Sequence, residues 1–128
     1  VFASTRKLWR DGVAHSHLQR FPAAAVDELL LSWHLELFEL FERDRALIPP
    51  GDLVEVRFEE LEREPRKCLE EIFDRLGLPD RDRFWSACQE QLAALRGYRK
   101  NSYDLSAEER VMVSERWRRM FETYGYPV

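Results

Sequence analysis

Cysteine is scarce in this chain: Cys68 and Cys88 are the two present in 128 residues. Neither has a CxxC partner or a matching histidine pair, which leaves no zinc-binding pattern. Both fall within helical apolar patterns. They read as reduced, part-buried thiols of a cytoplasmic-type protein, with a disulfide between them as the alternative. Long hydrophobic runs are missing as well. No stretch approaches the roughly 18 consecutive apolar residues of a membrane span, and no secretory signal is visible. Positive charge is not in excess. The net charge is −4 and the sequence pI is about 5.5, which argues against a general nucleic-acid binder. Internal repeats and low-complexity linkers are absent. So are GxxxxGK[ST], GxSxG and HExxH sequences, each of which would have pointed to a specific chemistry.

What is present is a globular, helix-patterned chain. Hydrophobic residues make up 45%, enough for a folded core and against global disorder. The length allows one domain at most. Charged residues, at 34%, suit well-solvated helix faces. Residues 4–19 read as a first helix with Leu8, Trp9 and Val13 inward, weakened at Gly12 and broken at Phe21-Pro22. Val26, Leu29, Leu30, Trp33, Leu37, Leu40 and Phe41 then recur at three- and four-residue steps, the signature of a long helix. Leu31, Leu35 and Phe38 widen its apolar face, so it is expected to be covered on more than one side.

Ile48-Pro49-Pro50-Gly51-Asp52 stops that helix, and the period changes. Across 53–58, Val54, Val56 and Phe58 alternate with Glu55 and Arg57, a strand signature. Pro65 suits the first position of a further helix. Leu69, Ile72, Phe73 and Leu76 form the inner face of that helix, and Gly77 its C-cap. Residues 81–95 read as helical, with Trp85, Cys88, Leu92 and Leu95 inward. Residues 97–104 form a polar, aromatic, basic loop. Ser106 and Glu109 form a capping-box pattern, and Val113, Trp117, Met120, Phe121 and Tyr124 share one face of a last helix.

One strand alone would leave backbone N–H and C=O groups unpaired. The other candidate is a stub at residues 1–3, and the intervening chain is long enough for a parallel crossover. Helix–strand–helix order points to a parallel α/β sheet. The expectation is therefore a mostly α-helical segment, with one clear strand near 53–58 and a stub at 1–3. Residues 1–128 would be the C-terminal portion of a single larger domain, its remaining strands upstream of Val1.

Several residues could carry chemistry. Ser4, at the expected strand-to-helix junction, suits an anion site or an ordinary N-cap. Phe58, at the expected strand end, could lie against a base or simply pack. Arg99 and Lys100, in Tyr98-Arg99-Lys100-Asn101, could bind phosphate or be a solvated pair. His15 and His17 lack the neighbours a metal would need. Glu59, Glu60, Glu62 and Glu64 read as a solvated helix entry.

The assembled pattern is more specific than its parts. Val54-Glu55-Val56-Arg57-Phe58-Glu59-Glu60-Leu61, then Glu64-Pro65, Leu69, Ile72 and Leu76-Gly77-Leu78-Pro79, resembles the second half of a sulfotransferase using 3′-phosphoadenosine 5′-phosphosulfate (PAPS). Val1-Phe2-Ala3-Ser4 is similar to the end of that family's 3′-phosphate motif, R-x-P-x-x-V-x-x-S. Residues 97–106 and Tyr124-Gly125-Tyr126-Pro127 resemble the bacterial branch of the P-loop sulfotransferase superfamily. The resemblance spans the chain.

It implies a P-loop-like parallel sheet with flanking helices in the parent enzyme. It also implies PAPS as sulfuryl donor, no metal, and a hydroxyl or amine acceptor on a small molecule, lipid or carbohydrate. It places Ser4 on the cofactor's 3′-phosphate with Arg99 or Lys100, and Phe58 beside the adenine. Phe58 stands where the family has Tyr, Glu60 and Glu64 where it has Asp, and no Gly follows Lys100. The family's phosphosulfate loop, its catalytic base and the Arg of the 3′-phosphate motif would all lie upstream of Val1, so these residues alone should be inactive. Residues 11–25 and the helix around Trp33 and His34 are candidates to line the acceptor pocket. A different P-loop nucleotide enzyme, such as a kinase, and a non-enzymatic helical interaction module are the competing readings.

Overall fold

The computed structural model describes residues 1–16, 18–19, 21–94, 97, 99 and 101–127, and of residue 14 the backbone alone. Its elements in chain order are α1 (Phe2–Leu8), a π-helical turn (Trp9–Val13), a 3₁₀ turn (Ala14–Ser16), α2 (Ala23–Asp44), a 3₁₀ turn (Arg45–Leu47), α3 (Phe58–Arg63), α4 (Pro65–Arg75), α5 (Arg81–Ala94), α6 (Ala107–Arg116) and α7 (Arg118–Tyr124). The chain divides into two compact units, Val1–Asp44 with Asn101–Val128, and Arg45–Lys100. No helix among the described residues is long and apolar enough to cross a membrane.

The first unit is organised by α2. Its interior contains neither Gly nor Pro, and Val26, Leu30, Leu31 and Phe38 are its buried residues. With Phe2 of α1, Val113 of α6 and Trp117, three of these (Val26, Leu30 and Leu31) form one apolar core. Trp33, Leu37 and Leu40 are exposed, so within this unit α2 is covered along one stripe rather than on several sides.

Trp117 is 4% exposed. Its indole N–H donates to the Leu31 carbonyl at 3.0 Å, which satisfies a donor that burial would otherwise leave without water. Its ring meets Phe2 edge-on, with centroids 6.1 Å apart, and His34 at 5.0 Å. A carbonyl only accepts, so the 2.7 Å contact from His34 Nδ1 to the Leu30 carbonyl places the proton on Nδ1. The expected single last helix is interrupted here. Trp117 has φ −107° and ψ 16°, outside helical values, and α7 restarts at Arg118. Ser106 caps α6: its Oγ accepts from the Glu109 N–H, and Glu109 accepts from the Ser106 N–H, the expected capping box.

In the second unit α4 begins with Pro65 at its first position, as its sequence predicts. It ends in a Schellman motif. The Leu78 N–H reaches the Phe73 carbonyl at 3.2 Å, and Gly77 takes φ 59°, a left-handed value that a Cβ would strain. Cys68 and Phe73 are buried, and Phe73 stacks with Phe84 of α5 at 4.9 Å. Arg81 Nη1 pairs with Asp74 Oδ1 at 2.7 Å across the turn. Both cysteines are free.

Two expectations are corrected, and with them the α/β class. The segment expected as a strand, 53–58, forms no sheet. Residues 53–57 have no regular structure, and Phe58 begins α3. Arg57 is extended, with φ −75° and ψ 134°, but a strand needs a partner to take its alternate N–H and C=O groups. No strand occurs among the described residues to supply one. The stub at 1–3 is helical instead. The Thr5 N–H bonds the Val1 carbonyl at 3.0 Å, and Phe2 is buried from within α1. The mostly helical character agrees with expectation.

Replacing Trp117 with Phe keeps most of the ring and removes the N–H. Urea unfolding followed by circular dichroism is expected to show a loss of about 1 kcal/mol. Trp117→Ala is expected to lose about 3–5 kcal/mol. Wild-type stability in the Phe variant would mean the bond to Leu31 contributes nothing.

Candidate functional site

A cavity of about 860 Å³ opens in the first unit, within the size range of small-molecule pockets. Three stretches of backbone bring its walls together. α1 carries Arg6 to it. The π-helical turn that follows then presents Trp9 and Arg10. Such turns take one residue more per hydrogen-bonded ring than an α-helix and recur at functional sites. Leu18, Gln19 and Phe21 come from the connection to α2. Pro22 precedes α2, its carbonyl accepting from Ala25 and Val26 at 3.0 and 3.2 Å, and this turn delivers Val26 and Asp27 to the cavity. Behind the wall, Trp9 meets Trp33 edge-on at 6.0 Å.

The polar side of the cavity is built around one guanidinium. Arg6 Nη1 lies 2.5 Å from Glu109 Oε1 and 3.5 Å from Asp27 Oδ2. The hydrogen bond to Glu109 raises the Arg6 pKa against the opposing effect of burial. Reciprocally, Arg6 and then the Ser106 N–H hold the Glu109 carboxyl below its ordinary value. Asp27 is less well served. Its Oδ1 is closed from solvent and has no hydrogen-bond partner. Outside the cavity, Arg10 and Lys7 together hold Asp11 down to about 2.

The residues singled out from sequence are distributed differently. Ser4 sits in the first turn of α1, not at its cap, and its hydroxyl donates to the Val1 carbonyl at 2.7 Å. It is not among the cavity residues. Phe58 opens α3 and is 61% exposed. Arg99 is exposed, without regular structure. Ser4 belongs to the first unit, and Phe58 and Arg99 to the second. Lys100, Tyr98 and His17 lie outside the described residues. Among those described, no group of three or more His, Cys, Asp or Glu could hold a metal ion.

Of the pocket-lining candidates, segment 11–25 supplies Leu18, Gln19, Phe21 and Ala23, while Trp33 and His34 do not line the cavity. Arg6 and Asp27 had no local signal, and Glu109 signalled only a helix cap. Arg6 and Glu109 are 103 positions apart, and nothing in either neighbourhood indicates the other.

Comparison with known proteins adds a family. Residues 1–82 match the family model described as "Sulfotransferase family". Two curated proteins named omega-hydroxy-beta-dihydromenaquinone-9 sulfotransferase, from Mycobacterium bovis and Mycobacterium tuberculosis, are each 29% identical over 126 residues. The alignment covers 98% of this chain and 32% of each relative. The chain thus spans about a third of the length of the curated relatives it matches. No solved structure matches.

The depressed Glu109 pKa makes the Arg6–Glu109 contact acid-sensitive. Its contribution to stability is complete above the ordinary glutamate value of 4.5. It is lost as pH falls through the lower folded-state value, where the carboxylate takes up a proton. Thermal melts between pH 6 and 3 are expected to show a shallower acid decline in Glu109→Gln than in wild type. Parallel curves would show that the ion pair does not couple to folding.

Proposed function

The chain belongs to the sulfotransferase family, and from that premise we propose that it works in sulfuryl transfer from PAPS to an acceptor hydroxyl or amine. The observation that carries this reading is the family match across residues 1–82. Similarity to the two mycobacterial sulfotransferases over nearly the whole chain supports it. Those relatives are named for a hydroxylated dihydromenaquinone. This favours a hydroxyl acceptor on a largely apolar small molecule here too.

PAPS would supply the activated sulfuryl group. Ser4 and Arg99, or Lys100, are assigned to its 3′-phosphate, and Phe58 to its adenine. The residues are chemically suited to it. The Ser4 hydroxyl donates to the Val1 carbonyl and would exchange that neutral acceptor for an anionic oxygen, the stronger kind of hydrogen bond. The exposed ring of Phe58 can cover a base, without the hydroxyl that a Tyr would add. A guanidinium at Arg99 can hold phosphate in a two-pronged contact. The phosphosulfate loop is assigned to residues outside these 128.

The test uses the full-length protein and the desulfated cofactor, adenosine 3′,5′-bisphosphate. Saturating ligand is expected to raise the melting temperature, since a ligand at about 100 times its Kd stabilises by about 2.7 kcal/mol. Ser4→Ala and Arg99→Ala are each expected to weaken binding about tenfold or more, the loss of one hydrogen bond to a charged group. A protein that ignores the bisphosphate and is stabilised by ATP with Mg²⁺ would overturn the reading. Full binding in Ser4→Ala would remove Ser4 from the site.

A further inference from the structure

We propose that the cavity of the first unit is the acceptor site, and that it takes an uncharged long-chain alcohol whose hydroxyl donates to Asp27. The word acceptor rests on the sulfotransferase reading, while the binding chemistry stands on the cavity itself. Three observations lead to it.

The first is the wall. Trp9, Leu18, Phe21 and Val26 all face the cavity. Leu18 and Phe21 are large apolar side chains left exposed beside it. An apolar ligand body would remove that surface from water, the main source of affinity in such pockets.

The second is charge. The ionised residues lining the cavity are Arg6, Arg10, Asp27 and Glu109, two of each sign. Both cations have carboxylates already, Arg6 at Glu109 and Asp27 and Arg10 at Asp11, 2.8 Å away. A charged ligand would enter a mixed field in which either sign meets a like charge. A neutral one loses nothing by this.

The third is Asp27. Its Oδ2 has a long 3.5 Å contact with Arg6, and its Oδ1 is sealed from solvent with no donor. A buried carboxylate oxygen without a donor is destabilising. The carboxylate is thus short of donors, and an O–H or N–H would relieve it. The Asp27 side chain is 21% exposed and lines the cavity. A hydroxyl arriving there would donate to Oδ2, whose long contact with Arg6 leaves it accepting capacity, while Oδ1 stays sealed. An ammonium could also donate, but it would sit beside the Arg6 guanidinium.

The experiment titrates the protein with 1-octanol, its methyl ether, octylammonium and octanoate, without cofactor, by calorimetry and tryptophan emission. The alcohol is expected to bind about tenfold more tightly than the ether, which has no proton to donate. That preference is expected to vanish in Asp27→Ala, which leaves no side-chain oxygen to accept. Phe21→Ala at the rim is expected to weaken alcohol and ether alike, which keeps the test alive should the Asp27 variant not fold. Equal affinity for alcohol and ether, tighter binding of either charged probe, or no effect of Phe21→Ala would overturn the proposal. If the bisphosphate binds and octanol does not, this inference alone falls. If octanol binds as described and the bisphosphate does not, the sulfotransferase reading falls and the alcohol site remains.

Discussion

Burying Trp117 requires a destination for its indole N–H, and the first unit is arranged around the one it finds. The acceptor is the Leu31 carbonyl in the middle of α2. To reach it the backbone leaves helical geometry at Trp117, which divides α6 from α7. The ring then touches Phe2 on α1 and His34 on α2, so three stretches distant in sequence share one residue. The polar side of the cavity follows from this in register. Arg6 lies four residues after Phe2, Asp27 four before Leu31, and Glu109 four before Val113. Residues four apart share a helix face. The apolar trio and the charged trio are therefore successive turns of the same packed surfaces, and fixing the first brings the second together.

The charged trio is unequal. Glu109 is held from two directions, by Arg6 and by the N–H it caps at Ser106. Asp27 has one long contact and an oxygen with none. A symmetric arrangement would be a closed structural ion pair. The asymmetry leaves Arg6 fixed, Glu109 satisfied and Asp27 with unused accepting capacity, which is how a polar group in a pocket wall differs from one in a salt bridge.

Much of the helical frame was legible because local chemistry decides it. Three- and four-residue spacing marked α2, Pro65 and Gly77 bounded α4, and Ser106 with Glu109 announced α6. The alternating segment at 53–58 was misread for a physical reason. Alternation describes which side a residue would face, not whether a second strand exists to bond it. The same holds at the first residues, where an apolar Val1-Phe2-Ala3 serves a helix as readily as a strand. Ser4 was expected at a helix cap and lies inside the first turn, since boundaries shift by a residue or two without any change in pattern. The cavity was half visible. The segment 11–25 was singled out, but its partners Arg6, Asp27 and Glu109 meet only through packing of distant helices. No window of sequence contains them together.

The core of the first unit joins Phe2, Leu30 and Leu31 to Val113 and Trp117, far along the chain, and this has a consequence during synthesis. Phe2, Leu30 and Leu31 emerge from the ribosome well before Val113 and Trp117 exist to cover them. At about 5–20 residues per second, the apolar stripe of α2 waits roughly 4–17 s for its cover. The second unit is completed in that interval from its own neighbours. Slow codons between residues 45 and 100 would lengthen the period of exposure.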